Sequence, residues 1–276
     1  MKLGSIERGE TMIITTAFDE TTALVEKAQK LSEKLKIPYY RRHKKTVKFL
    51  LEQVDSELFV VNNQRGLSYY QKGQEEVFFH PNMSMHRIKQ LESGQKDSLV
   101  TACQLQPGMS FLDCTLGLAS DTLVATYCVG EQGRVTSIEK SFPLSILVHE
   151  GLRYYVQNEK PQWKPLVDRI EIINSDNLAY LKSCEDGAFD VVYFDFMFNQ
   201  SVESSHGIKV IKSVVSYDMI TEDHVKEALR VASQRVVVKS SYGNQLIKEL
   251  GFEVERRNQK RHFFYGVIEK QDTLDY

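Results

Sequence analysis

Phe111-Leu112-Asp113-Cys114-Thr115-Leu116-Gly117-Leu118-Ala119-Ser120-Asp121 is the stretch whose reading decides the fold. An apolar run ends in an acid, a short turn carries a small residue and a glycine, and a helical pattern starts at Leu118. That is a strand, a tight turn and a helix, the place where open α/β sheets bind a ligand. Gly117 lets a ligand approach the backbone where a Cβ would intrude. The dinucleotide fingerprint G-x-G-x-x-G is absent, so no pyrophosphate cradle is signalled. Asp113 would repel a phosphate and attract an ammonium group.

S-adenosylmethionine, with an amino group, a sulfonium and no phosphate, is a ligand of that kind. An ordinary strand-to-helix turn with a capping acid is the other reading of the same residues.

Downstream, the pattern alternates. Strands are expected over 110–113, 134–139, 169–174, 189–195 and 234–239. Helices are expected over 118–129, 143–156, 177–182, 206–215, 221–231 and 244–250. Such alternation predicts parallel strands with helices on both faces. Two closing strands, 252–257 and 262–269, are joined by polar 258–260, and that hairpin would place one antiparallel strand in the sheet. Upstream, a strand over 12–16 precedes a helix over 20–35. Leu24, Ala28, Leu31 and Leu35 form its apolar stripe and Asp19 is its expected N-cap. A hairpin pairs 58–61 with 67–70. The division implied is a small α/β module over 12–76 and a ligand-binding domain over 77–276.

The chain of 276 residues is 42% hydrophobic and 26% charged, an ordinary globular balance. Its net charge of -2 means that any basic footprint for nucleic acid must be local. The four cysteines form no C-x-x-C pair, so no metal site or redox dithiol is expected. No signal peptide and no bilayer-length apolar run is visible, which fits a reducing cytoplasm.

Acids recur at strand ends. Glu139 closes the second strand, where a carboxylate can accept both hydroxyls of a ribose; a solvated surface Glu is the alternative. Asn174-Ser175-Asp176-Asn177 follow the third strand; their polar side chains could meet an adenine edge, or Ser175 or Asp176 could cap the next helix. Asp195 closes the fourth strand, ahead of Phe196-Met197-Phe198. An acceptor oxygen beside an aromatic face suits a base bearing an exocyclic amine. With Asp113 these acids would line one crevice. Arg41, Arg42, Lys44 and Lys45 form the densest basic run, a candidate phosphate contact or a solvated face. Arg87 and Lys239 add positive charge on elements bordering the crevice.

These residues resemble class I S-adenosylmethionine-dependent methyltransferases. The likeness is strongest to the RsmJ-like bacterial family that methylates the exocyclic N2 of a guanosine in small-subunit ribosomal RNA. The family's D-x-T-x-G-x-x-x-D loop is matched from Asp113 to Asp121, and its acidic-basic pair by Glu139-Lys140. Its D-P-M-F is matched by Asp195-Phe196-Met197-Phe198, and its V-V-V-K then Tyr by 236–239 and Tyr242. Its M-x-H-R is matched by Met83-Ser84-Met85-His86-Arg87. Ala119 replaces the second loop glycine and Phe196 the proline. The resemblance implies a Rossmann-like seven-stranded sheet and S-adenosylmethionine held by Asp113, Thr115, Gly117, Ser120, Asp121, Glu139, Lys140, Asp176, Asn177 and Asp195. It further places Asp195 at the junction of cofactor and target amine; the expected mechanism has Asp195 or a neighbouring carbonyl orient the amine with Phe198 as a stacking plate, and RNA is the expected partner through the basic residues. A small-molecule methyltransferase and a catalytically silent RNA-binding module stay open. A nicotinamide oxidoreductase is disfavoured by the missing fingerprint.

Overall fold

The computed structural model describes residues 12–54, 57–195, 219–241, 244–254 and 262–270. The expected helix over 206–215 and turn over 258–260 lie outside them, as do Phe196, Phe198 and Tyr242.

Two sheets form. The first is ordered β1-β2-β3-β4, from β1 (Met12–Thr16), β2 (Glu57–Asn62), β3 (Gly66–Tyr70) and β4 (Val77–Phe78). β1 and β2 are parallel and the other pairs antiparallel. Helices α1 (Thr22–Leu35) and α2 (Val47–Val54) make the crossover between the parallel pair. Helix α1 buries Leu24, Ala28, Leu31 and Leu35 as the period demands, but its cap is Thr21 rather than Asp19. The Thr21 hydroxyl accepts the Leu24 N–H at 3.2 Å.

Helices α3 (Asn82–Glu92) and α4 (Ser98–Cys103) lead into the second sheet. Its strands are β5 (Ser110–Asp113), β6 (Arg134–Glu139), β7 (Ile170–Asn174), β8 (Phe189–Asp195), β9 (Ala232–Ser241), β10 (Glu253–Val254) and β11 (Phe263–Glu269). They are ordered β10-β11-β9-β8-β5-β6-β7. Only β11 runs antiparallel to its neighbours β9 and β10. The linking helices are α5 (Ser120–Val129), α6 (Phe142–Asn158), α7 (Lys164–Val167), α8 (Asn177–Ser183), α9 (Glu222–Val231) and α10 (Leu246–Glu249). Val191, Val192, Tyr193 and Phe194 are all buried, because central strand β8 is covered on both faces. The chain runs outward from β5 through β6 to β7, then resumes on the other side with β8. Strand order therefore reverses beside β5, the place where sheets of this kind form a ligand crevice at the carboxyl ends.

The two sheets share apolar packing. Ile14, Phe59 and Tyr69 of the first belong to one buried cluster with Leu123 of α5 and Leu144 and Leu152 of α6. Phe79 sits against Gly151 of α6, where a Cβ would lie 2.6 Å from its Cγ. Each such fully buried leucine or phenylalanine contributes roughly 1.5–3 kcal/mol.

Candidate active site

The register sets the acids side by side. Asp113 pairs with Ser137, Glu139 with Asn174, and Asp195 lies directly across from Lys239. The turn after β5 is tight, with Gly117 at φ 51° and Ala119 at φ 58°. The second value explains the family's glycine at this position, since a left-handed backbone strains any residue with a Cβ.

Asp113 does not reach the crevice, contrary to expectation. It is 1% exposed, and its oxygens accept the Thr115 N–H at 2.9 Å and the Thr122 hydroxyl at 2.7 Å. Burial pushes its carboxyl up to about 7 against the pull of those donors. Its work is to brace the loop. Thr115 Oγ1 also accepts the Asp195 N–H at 2.6 Å, so the β5 turn fixes the end of β8.

Glu139 closes over the same turn. It accepts the Gly117 N–H at 3.2 Å and the Ser141 N–H at 2.8 Å. Burial raises its carboxyl to about 7 despite those donors. Lys140 is exposed and pairs with Asp176 at 3.2 Å. Asp176 caps α8, accepting the Ala179 N–H at 3.0 Å. Asn177 is buried, its amide donating to the Cys114 carbonyl and its oxygen meeting His224 Nε2 at 3.0 Å.

On the β8–β9 side a chain of charges crosses the crevice. Arg87 donates to both Asp97 oxygens at 2.8 and 2.9 Å and to Asp121 Oδ1 at 2.5 Å. Asp121 Oδ2 accepts the Tyr193 hydroxyl at 2.7 Å and Lys239 Nζ at 3.2 Å. Lys239 reaches Asp195 Oδ2 at 2.7 Å. Burial pushes the Asp121 carboxyl up, but Lys239 and Arg87 outweigh it and hold the group well below the usual carboxylate range. Burial likewise pulls Lys239 down, and Asp121 and Asp195 more than reverse it, so it stays charged. Beside this chain is a cavity of about 430 Å³ lined by Ser120, Asp121, Lys239, Leu118, Phe263 and Tyr265 among others. Lys239 lies 5.2 Å from the centre of the Phe263 ring.

The expected RNA contacts divide. Arg42 is buried; its guanidinium donates to the Thr16 and Lys45 carbonyls, both at 2.8 Å, and its N–H to Glu20. Buried against those carbonyls, the guanidinium is an internal strut and not the exposed phosphate contact expected of it. Arg41 and Lys44 are exposed, and Lys45 lies over the rings of Tyr40 and Phe49. Arg87 and Lys239 are internal members of the charge chain rather than a surface patch. Asp97, Tyr193, Phe263 and Tyr265 carried no sequence signal. Asp97 reads as a helix cap, and the tyrosines as strand core, until pairing sets Tyr265 across from Lys239.

A family model described as "Putative SAM-dependent methyltransferase" matches residues 31–265. The chain belongs to that family. It is 37% identical over 257 residues to the uncharacterized protein YpiP of Bacillus subtilis, covering 93% of this chain and 99% of that protein. It is 26% identical over 224 residues to ribosomal RNA small subunit methyltransferase J of Pseudomonas aeruginosa, covering 78% of this chain and 79% of that one. In fold it is similar to the crystal structure of the S-adenosylmethionine-dependent methyltransferase NGO1261 of Neisseria gonorrhoeae. The TM-score is 0.57 at 16% identity, over 95% and 97% of the two chains.

S-adenosylmethionine is therefore the cofactor of this methyltransferase. The donor set at the crevice fits it: carboxylates, hydroxyls and a left-handed turn at Gly117, with the cations Arg87 and Lys239 already neutralised by acids. Among the described residues no group of His, Cys, Asp and Glu could hold a metal ion, and no helix is long and apolar enough to cross a membrane.

Proposed function

We propose that this methyltransferase acts in the cytoplasm on ribosomal RNA, N-methylating an exocyclic amine of a base, with guanine N2 the amine that the family resemblance favours. The supporting observation is the Asp195–Lys239 pair, 2.7 Å apart beside a cavity with an aromatic wall. The bound cofactor supplies a methyl carbon on a sulfonium, so one displacement forms the C–N bond and breaks the C–S bond. The chain's part is placement. Asp195 accepts an N–H of the target amine and takes up the proton it sheds, while Lys239 fixes the carboxylate's direction. Phe263 offers a face to the base, and Phe198 is assigned the same task by sequence alone. Glu139 accepts the ribose hydroxyls, with Lys140, Asp176 and Asn177 flanking the adenine end. Thr115 and Gly117 shape the turn, and Ser120 and Asp121 border the methionine end.

The relatives named ribosomal RNA small subunit methyltransferase J support the substrate class. The test is methyl transfer to ribosomal RNA from cells lacking the gene, followed by nucleoside mass spectrometry. A methylated guanosine that disappears with Asp195→Ala is expected. Turnover of a small metabolite with no label in any RNA would remove the RNA reading. Cofactor binding without any product would leave a silent RNA-binding module.

A further inference from the structure

A second basic surface lies away from the strand ends, where α1 meets α6. The groove there is about 280 Å³ and is lined by Lys27, Lys30 and Lys34 of α1 and by Glu150, Arg153 and Tyr154 of α6, among others. The three lysines recur at i, i+3 and i+7, so one helix face carries them all, next to the buried Leu24–Leu31 stripe. Lys27, Lys30, Lys34 and Arg153 are exposed. Lys34 is matched by Glu150 at 2.7 Å, whereas no described acid forms an ion pair with Lys27, Lys30 or Arg153. Three unmatched cations therefore converge on a groove in a chain of net charge -2.

The floor of the groove is fixed. Tyr154 donates to the Asn63 carbonyl at 2.5 Å, and its ring lies against Gly66, where a Cβ would meet the Tyr154 Cβ at 2.7 Å. The β2–β3 turn is thus locked onto α6, and the cations ride on rigid elements, which lowers the ordering cost of binding. Helix α6 starts beside Glu139, and Arg153 lies twelve residues beyond Ser141, about 18 Å along its axis. A chain of phosphates gripped at the groove would be a few nucleotides from the crevice.

We propose that this groove binds the phosphate backbone of the RNA substrate, setting its orientation while the crevice selects the base. The proposal rests on the RNA reading above. It moves the main phosphate contact from the 41–45 run, where Arg42 is internal, to a surface that no run of charge marks.

The test uses the full chain with K27Q/K30Q/R153Q, and K48Q/K182Q/K226Q as a charge-matched control on exposed lysines elsewhere. The probe is a fluorescein-labelled 30-nucleotide RNA, titrated at several salt concentrations. Losing three phosphate contacts should lower the slope of log affinity against log salt by about 2 for a single strand. Affinity at low salt should fall at least about tenfold, with the control near wild type and S-adenosylmethionine affinity unchanged in both. Wild-type slope and affinity in the groove variant, or an equal loss in the control, would overturn the groove while leaving the RNA reading intact. A wild type that binds no RNA and methylates only a metabolite would overturn both. If the variant kept RNA but lost binding to labelled poly-glutamate, the groove would belong to an acidic protein partner and the proposal would fail.

Discussion

If Glu139 holds the ribose, cofactor affinity must depend on its charge. Two hydroxyls donate far more strongly to an ionised carboxylate than to a protonated one, which keeps an O–H donor of its own, and burial has raised this one to about 7. The bound form needs it ionised, so apparent Kd scales as 1 + 10^(pKa − pH). Between pH 8 and pH 6 the ionised share falls from roughly nine-tenths to one-tenth, and affinity should weaken about tenfold. Calorimetry across that range measures it directly. At pH 7, binding should also release about half a proton per cofactor, seen as a dependence of the heat on buffer ionisation enthalpy. Glu139→Gln should flatten the profile and weaken binding at pH 8 by about 5- to 150-fold, the difference between charged and neutral hydrogen bonds over two hydroxyls. A wild-type Kd that is flat from pH 6 to pH 8, or a Gln variant with the same slope as wild type, would refute the argument. The same group has a stability signature of opposite sense. Its folded pKa lies above its ordinary 4.5, so the folded state binds more protons between 4.5 and about 7. Stability therefore declines as pH rises through that window, by about 3 kcal/mol for Glu139 alone, and Gln should remove that decline.

Arg87→Met leaves the buried carboxylates of Asp97 and Asp121 without their shared cation; thermal unfolding should show a loss of about 3–5 kcal/mol, and a change under 1 kcal/mol would mean the chain of charges is not structural. Gly151→Ala drives a methyl into Phe79; denaturant unfolding should report a loss of about 1–3 kcal/mol from overpacking. Ala119→Gly relieves roughly 1–2 kcal/mol of left-handed strain but gives up a buried methyl worth about 0.8 kcal/mol and frees the unfolded chain by about 0.4–1 kcal/mol. The net change in the same assay should lie near zero, whereas a stabilisation above 2 kcal/mol would show the strain to be larger than its φ implies.

The second sheet is legible in the sequence because its strands advertise their own ends. Apolar runs stop at Asp113, Glu139 and Asp195, and β5, β6 and β8 end at those residues. What a local pattern could not tell was which acid faces outward. Asp113 turns inward because Thr122, nine residues on, supplies a hydroxyl; Asp195 points at Lys239, 44 residues on, because β9 pairs beside β8. Arg42 looked like one member of a basic run, and only the distant Thr16 carbonyl shows it to be a strut. Conversely, Lys27, Lys30 and Lys34 alternate with Glu26 and Glu33 and so never register as a run. Helical winding sorts them onto one face. Thr21 against Asp19 was undecidable from composition, since either side chain can cap.

The apolar cluster common to the two sheets bears on how the chain is made. A ribosome finishes β4 at Phe78 long before it finishes α6 at Asn158. At about 5–20 residues per second, that leaves roughly 4–16 seconds in which Phe59, Tyr69 and Phe79 have emerged but their partners Leu144 and Leu152 have not. Throughout that interval the nascent segment presents a sticky apolar surface with an open strand edge. A holdase chaperone that engages polypeptides during translation would find its target there, and the yield of active protein should track the supply of such chaperones.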